Sequence, residues 1–578
     1  MKDKSSFWKR LSQVFTFQDL KIEKGSIYDQ QESMEEKKIP AQMTLKKPVR
    51  ASKTPLVLAD QKKQDSSLDP QKLRVSSCLE KNKGYLQQLY VLPKNKDIIV
   101  REFYLDLDPP TPALLVFIDG LAEKETINNA ILKPLMVFLR GKKLENDDLI
   151  TYIQEHLLPG HEVEVAEDYQ TILEGINYGD TAVFVEGCAK ALIVETKGWE
   201  KRAIDKPEIE EVILGPNEAF NETIRSNTAL IRKNLRNEKL ITEMIKVGAR
   251  NRIDVAVMYL DDLTNPQLVE LVKKRISSLN ADYISVSSVL EQFIEDNPFC
   301  LCPQLLSTER PDRVVSFLME GHVAVLVDGA PLSLIAPVTF FSLIHSPEDY
   351  YLRLPYGNFI RFLRILAILI TLLIPGIYVA LVTFHQEMIP TELLLAIAAS
   401  RVPVPFPTIF EVFSMEFAFE LIREAGVRIP GIIGNTIGIV GALILGQAAV
   451  EAGIVSPILI IVVAIAGLAS FAVPNFSLSF SLRQRRFMFT ILAAIFGFFG
   501  IAGGLFVYLT NLVNTKSFGV PYLAPYSPQV KTSPDVFWRG PLWSMEKRPP
   551  YLKSQDQQRQ PNISRGWLKK VRRGKKDE

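Results

Sequence analysis

The chain has 578 residues, well beyond the roughly 100–200 of one folding unit, and its 67 basic and 65 acidic side chains leave a formal net charge of +2. That balance excludes a general attraction to nucleic acid or to acidic substrates. Nearly all the charge lies before Tyr351 or after Asn514, with the long apolar runs between, as a soluble domain ahead of a bilayer domain requires.

Residues 1–80 are rich in Lys, Gln, Glu, Ser and Asp and have little periodic hydrophobicity, which reads as a disordered polar arm. Phe7, Trp8, Leu11, Val14 and Phe15 would alternatively line one face of a short basic helix at a membrane surface. The opening MKDKSSFWKRLSQVF has no apolar stretch or cleavage site of a secretory signal, so the soluble part is expected in the cytoplasm.

From residue 85 the pattern is α/β. The strand ALLVFIDG precedes a helical pattern through Ile127, Ile131, Leu135 and Met136, and DVAVMYLDD precedes the helical LVELVKKRISSL. Each unit ends in an apolar hairpin, GDTAVFVEGCAKALIVET or EGHVAVLVDGAPLSLIAP. The separation of Asp119 from Glu186 equals that of Asp261 from Asp328, so the two units read as copies. We expect related subdomains over 85–215 and 251–345, joined by a helical linker over 216–250. The Asp-Gly steps are turn chemistry, since no glycine-rich phosphate loop follows these strands.

Residues 360–515 read as an α-helical transmembrane domain. Ile365–Phe384, Gly431–Val450, Ile454–Val473 and Phe487–Val513 are each long enough to cross a bilayer, which takes about 20 helical residues. Arg361 and Arg364 precede the first run and suit a cytoplasmic headgroup layer. Between the first and second runs, Pro403, Pro405 and Pro407 break the helix. Beyond them Glu416, Glu420 and Glu424 recur every four residues on one helix face. This acidic segment either passes through the membrane beside a polar pathway or lies flat at the interface as a re-entrant or interfacial helix. The count is therefore five or four spans, with the basic tail 516–578 outside or inside respectively. Arg483, Arg485 and Arg486 and the tail's LKKVRRGKK cannot both be cytoplasmic if one span separates them.

Gly434, Gly438, Ala442 and Gly446 repeat at four-residue spacing and permit close helix approach, as do Gly497, Gly500 and Gly504 in the last run. In a symmetric assembly such a stripe would line a channel. Glu416, Glu420, Glu424, Asn435, Gly438, Ala442 and Gln447 are therefore candidate ion-pathway residues, and Gly434, Gly446, Gly497, Gly500 and Gly504 candidate packing residues. No catalytic, cofactor or metal site is expected: five histidines have no metal spacing, and neither a nucleophile elbow nor a P-loop occurs. Cys300 and Cys302 stand close together, without His or further Cys nearby in sequence, and read as small buried residues.

Residues 307–351, STERPDRVVSFLMEGHVAVLVDGAPLSLIAPVTFFSLIHSPEDYY, closely resemble the signature before the membrane region in GerA-type A subunits of bacterial spore germinant receptors. DIIVREF, FIDGL, ILGPNEAFNETIRSNTALIR, RIPGIIGNTIGIVGALILGQAAVEAGIVSP and SFGVPYLAPYSP match in order, over approximately residues 85–530. The resemblance implies a multi-pass protein of the spore inner membrane, working with a transporter-like B subunit and a lipoprotein C subunit. It further implies a homo-oligomer forming a nutrient-gated ion channel. A non-conducting scaffold that docks the B subunit, and a paralogue that amplifies germination, are the alternatives.

Overall fold

The computed structural model describes residues 73–139, 146–159, 162–198, 206–428, 444, 446–530 and 535–560. The expected polar arm lies outside these up to residue 72. From Val75 the chain is already part of the first core, through helix α1 (Leu79–Leu89), whose Leu79, Leu86 and Leu89 are buried.

Two sheets carry the soluble part. In the first, β1 (Ile98–Leu105), β2 (Thr111–Ile118), β3 (Val163–Ala166), β4 (Thr181–Val185) and β5 (Ala191–Val194) are ordered β1-β2-β4-β5-β3. In the second, β6 (Leu240–Val247), β7 (Ile253–Leu260), β8 (Leu306–Thr308), β9 (Val323–Val327) and β10 (Ser333–Ala336) follow the same path, β6-β7-β9-β10-β8. All pairings are antiparallel. The central strands β4, β5, β9 and β10 are buried at every residue, which is why they read as unbroken apolar runs.

The duplication extends to details. Glu186, at the first hairpin turn, accepts from the Leu79 amide (2.6 Å), the first of α1. Asp328, at the second, accepts from the Ile224 amide (3.2 Å), the first of α2 (Ile224–Asn234). Each acid thus supplies an acceptor for a helix N-terminus that has no capping side chain of its own. Buried Asp97 of the first subdomain pairs with Arg225 and Arg232 of α2, both at 2.9 Å, and holds the halves together.

The expected linker over 216–250 is only partly helical. Its second half is β6, in register with β7 from Leu240↔Leu260 to Val247↔Ile253. The helix-forming Glu243, Met244 and Lys246 mask the strand in the sequence; pairing with the largely buried β7 overrides their preference.

The apolar part contains α3 (Leu354–Thr383), α4 (Thr391–Arg401), α5 (Thr408–Arg428), α6 (Pro457–Phe471) and α7 (Phe476–Asn514). By length and composition α3 and α7 are able to cross a membrane, whereas α6 is a shorter apolar helix. Most of the run Gly431–Val450 lies outside the described residues.

The last apolar run is not one straight span. Gly497 inside α7 has φ 57° and ψ −138°, and the chain reverses there. In a straight helix Phe489 and Tyr508 would lie about 28 Å apart at about 1.5 Å per residue; their ring centroids are 6.4 Å apart. Arg485 likewise stacks on the Tyr508 ring at 4.4 Å. α7 is therefore a helical hairpin with both ends toward the soluble domain. A hydropathy run carries no information about chain direction, so the reversal is invisible to it.

The tail confirms the direction of return. Ser517 and Tyr522 hydroxyls donate to the carbonyls of Gln304 (2.6 Å) and Pro303 (2.9 Å) in the second subdomain. Trp538 stacks on Phe362 of α3, and the Gln555 amide donates to the Asp261 and Thr264 carbonyls, both at 2.8 Å. The described tail thus lies on the same side as the soluble domain. The basic run LKKVRRGKK, beyond residue 560, lies outside the described residues.

Candidate functional site

The helices that follow α3 place acids against bases. Glu411, at the start of α5, pairs with Arg401 (3.2 Å) and accepts from the Ser456 amide (3.2 Å) at the start of α6. Five residues on, buried Glu416 faces Arg486 Nε at 3.2 Å. Glu420 takes Arg483 at 2.7 Å and Arg486 at 3.3 Å, with Arg423 at 3.6 Å. Arg423 in turn donates to Ser470 of α6 (2.9 Å). The four-residue recurrence of Glu416 and Glu420 builds this seam, because the middle of α5 meets the first arm of the α7 hairpin there. Charges removed from water in this way require partners, and each carboxylate here has one.

Of the sequence candidates, Glu416 and Glu420 are brought together in this seam, whereas Glu424 is exposed. Gln447 is also exposed and donates to Glu451 (3.0 Å). Gly446 packs toward Ile460 of α6. Gly497, Gly500 and Gly504 lie inside the hairpin: a Cβ at Gly504 would come within 2.8 Å of Leu492, and one at Gly500 would collide with the Leu492 carbonyl. Gly434, Asn435, Gly438 and Ala442 fall outside the described residues. The partners Arg483 and Arg486 were visible in the sequence as charges but not as partners, since pairing across some 60 residues leaves no local signal.

A second charged seam joins α3 to the soluble domain. Fully buried Asp349 holds Arg361 (2.9 Å) and Arg364 (2.6 Å), one turn apart on α3. Arg361 also holds Asp535 of the tail (2.6 Å), to which the Tyr350 hydroxyl donates. Arg539 of the tail donates to the carbonyls of Asp349 and Leu352. Burial pushes the Asp535 carboxyl up, but His345 and Arg361 beside it outweigh burial and hold it below the ordinary range. Burial, helped by Arg361, lowers His345 to about 4, so its ring is neutral at pH 7 and accepts or donates without adding charge to the seam. A cavity of about 340 Å³ opens beside this seam, with Arg313, Glu320, His345, Tyr350, Asp535 and Tyr551 in its wall. Among the described residues no group of three or more His, Cys, Asp or Glu side chains is set to hold a metal ion.

A duplicated α/β domain joined by buried ion pairs to a cluster of apolar helices defines a two-part protein whose α/β and apolar halves are mechanically connected. Residues 85–551 match the family described as Bacillus/Clostridium GerA spore germination protein, and the chain belongs to that family. Similar relatives include spore germination protein KA of Bacillus subtilis (strain 168), 39% identical over 484 residues, covering 82% of this chain and 88% of the relative. Spore germination protein A1 of the same organism is 44% identical over 382 residues, covering 66% and 79%. Among solved structures, the N-terminal domain of the A subunit of the Bacillus megaterium spore germinant receptor GerK3 is 25% identical, with a TM-score of 0.36, covering 46% of this chain and 98% of that one. The family resemblance carried by residues 307–351 is thereby established, and a membrane location fits both the relatives and the apolar helices.

Proposed function

We propose that this chain is the A subunit of a nutrient germinant receptor in the spore inner membrane, that it assembles with B and C subunits and with copies of itself, and that the assembly opens an ion pathway that triggers germination. It carries no catalysis in this reading. The observation that carries the proposal is the family match over residues 85–551, which takes in both the soluble domain and the helices. The seam of Glu416 and Glu420 with Arg483 and Arg486 supports it further, because ionisable residues among membrane helices are retained chiefly where ions or protons move.

In the same reading α3, α5, the apolar run over 431–450, counted as a span from its sequence alone, and α6 cross in alternate directions and the α7 hairpin enters and returns. The soluble domain and the described tail then share the cytoplasmic side. The docked tail supports a pass for α5 over a flat interfacial position, since a flat α5 would leave the crossings before the hairpin at three and put the tail opposite the soluble domain.

Replacing both Glu416 and Glu420 with glutamine is expected to change the rate of ion release from spores severalfold while the protein still accumulates and co-purifies with its partners. Ion release unchanged at equal protein level would remove the seam from the pathway. In that event the reading as a non-conducting scaffold that docks the B subunit takes its place.

A further inference from the structure

Arg485 stands apart from the paired arginines around it. It is 7% exposed, its Nη1 has no partner, and among the described residues no carboxylate lies within ion-pair distance of it. Its guanidinium lies on the Tyr508 ring, and the buried hydroxyls of Tyr508 and Ser481 beside it also have no partner. A buried guanidinium without a counter-charge is costly. The acidic groups in reach are two thiols: Cys302 lies beside Arg485, and Cys300 beside Cys302. Cys300 Sγ is also 3.8 Å from Thr515 Oγ1, at the end of the α7 hairpin. Cys302 is buried, whereas Cys300 is half-buried in a loop whose neighbours Phe299 and Leu301 are exposed, so reagents reach Cys300 first.

We propose that Cys300 and Cys302 form a reactive dithiol, Cys300 as nucleophile and Cys302 as resolving thiol, which takes peroxides and soft electrophiles and reports to the α7 hairpin through Arg485. The pair keeps one proton and one negative charge, and that charge is the counter-ion of Arg485. The remaining titratable groups around the pair are Glu295 and Asp296 on its own segment, Tyr508 on the hairpin and Tyr522 on the tail. Asp296 is occupied by Arg275 and by the Phe518 amide. Glu295 is pushed up to about 8 by burial, so it is largely protonated at pH 7 and adds little opposing charge. Donation from the Cys302 thiol, with Arg485 also nearby, pulls the Cys300 thiol down to about 6 against its own burial.

With a peroxide the chemistry closes in two steps. The Cys300 thiolate attacks one peroxide oxygen, the O–O bond breaks, the released hydroxide takes a proton to leave as water, and Cys300 becomes a sulfenic acid. Cys302 then attacks that sulfur, a second water leaves with the Cys302 proton, and a disulfide forms. Sulfur is oxidised by two electrons and the peroxide reduced by two. Arg485 is left without its counter-ion, which couples the oxidation state to the hairpin.

The test is alkylation of the full-length protein in detergent by iodoacetamide between about pH 5 and about pH 9, read at each cysteine by mass spectrometry. Cys300 is expected to reach half its limiting rate near pH 6, and Arg485→Met is expected to move that midpoint up by about one unit or more. Cys78 in the first subdomain is the internal reference. Hydrogen peroxide is expected to produce a Cys300–Cys302 cross-linked peptide in the native chain, and a dimedone-trapped sulfenic acid at Cys300 in the Cys302→Ser variant. A Cys300 midpoint near 8.5, the value of an unperturbed thiol, overturns the proposal and requires no variant to fold. A normal midpoint shift without any cross-link or trapped sulfenic acid overturns the redox step.

Discussion

Asp349→Ala is expected to lower the unfolding midpoint of the detergent-solubilised protein by about 10 °C, on the basis of about 3–5 kcal/mol for removing one partner of a buried ion pair and about 2–4 °C per kcal/mol in a domain of this size. Asp349 is 0% exposed and holds Arg361 and Arg364 at once. Without it Arg364 has no other ion-pair partner among the described residues, while Arg361 keeps Asp535. The loss is therefore concentrated where α3 leaves the soluble domain, and a protease is expected to cut near Tyr351 in the variant and not in the native chain. Asp349→Asn retains an acceptor without the charge and is expected to fall between the two. A variant melting with the native protein would mean that the seam does not hold the domains together.

Gly497→Ala is the second large effect. The backbone there has positive φ with ψ far from the left-handed helical well, a region open in practice to glycine alone. An added Cβ would also meet His385 Nε2 at 2.8 Å, the atom that accepts from the Phe498 amide, and Phe384 Cβ at 3.2 Å. Together these cost about 3 kcal/mol or more. The chain is expected to relieve them by straightening α7, which would carry residue 515 away from Cys300 and strip Ser517 and Tyr522 from the second subdomain. A cysteine-reactive or proteolytic reporter in the tail measures this directly: tail protected and on the soluble-domain side in the native chain, exposed or on the opposite side in the variant. Equal protection in both would contradict the reversal.

The soluble fold was legible because its signals are local. The hairpins around Gly187 and Gly329 place glycine at the positive φ their turns demand, between strands too apolar to be anything but buried. Their repetition exposed the duplication, and the matching sheet orders follow from it. β6 escaped because its second half carries good helix formers, and only β7 beside it decides the outcome. The helical half was legible as apolar runs and no further. Nothing near Gly497 distinguishes a reversal from one more small residue on a packing face. Nor does the stripe Glu416, Glu420, Glu424 reveal that its first two members meet the arginines of α7 while its third is exposed. Asp349, Asp535 and Arg539 carry no local signal, since each matters only through contacts with residues distant in sequence or on another element.

The seam and the hairpin together give a chain in which displacement of the soluble domain must move α3 and the tail, and through the tail the end of α7. Whether that movement opens an ion pathway is tested most directly by ion flux from liposomes containing this chain with the proposed B and C subunits, with and without nutrient. Nutrient-dependent flux, altered when Glu420 becomes glutamine, is the predicted result; no flux under any condition from assembled, correctly oriented complexes would contradict it.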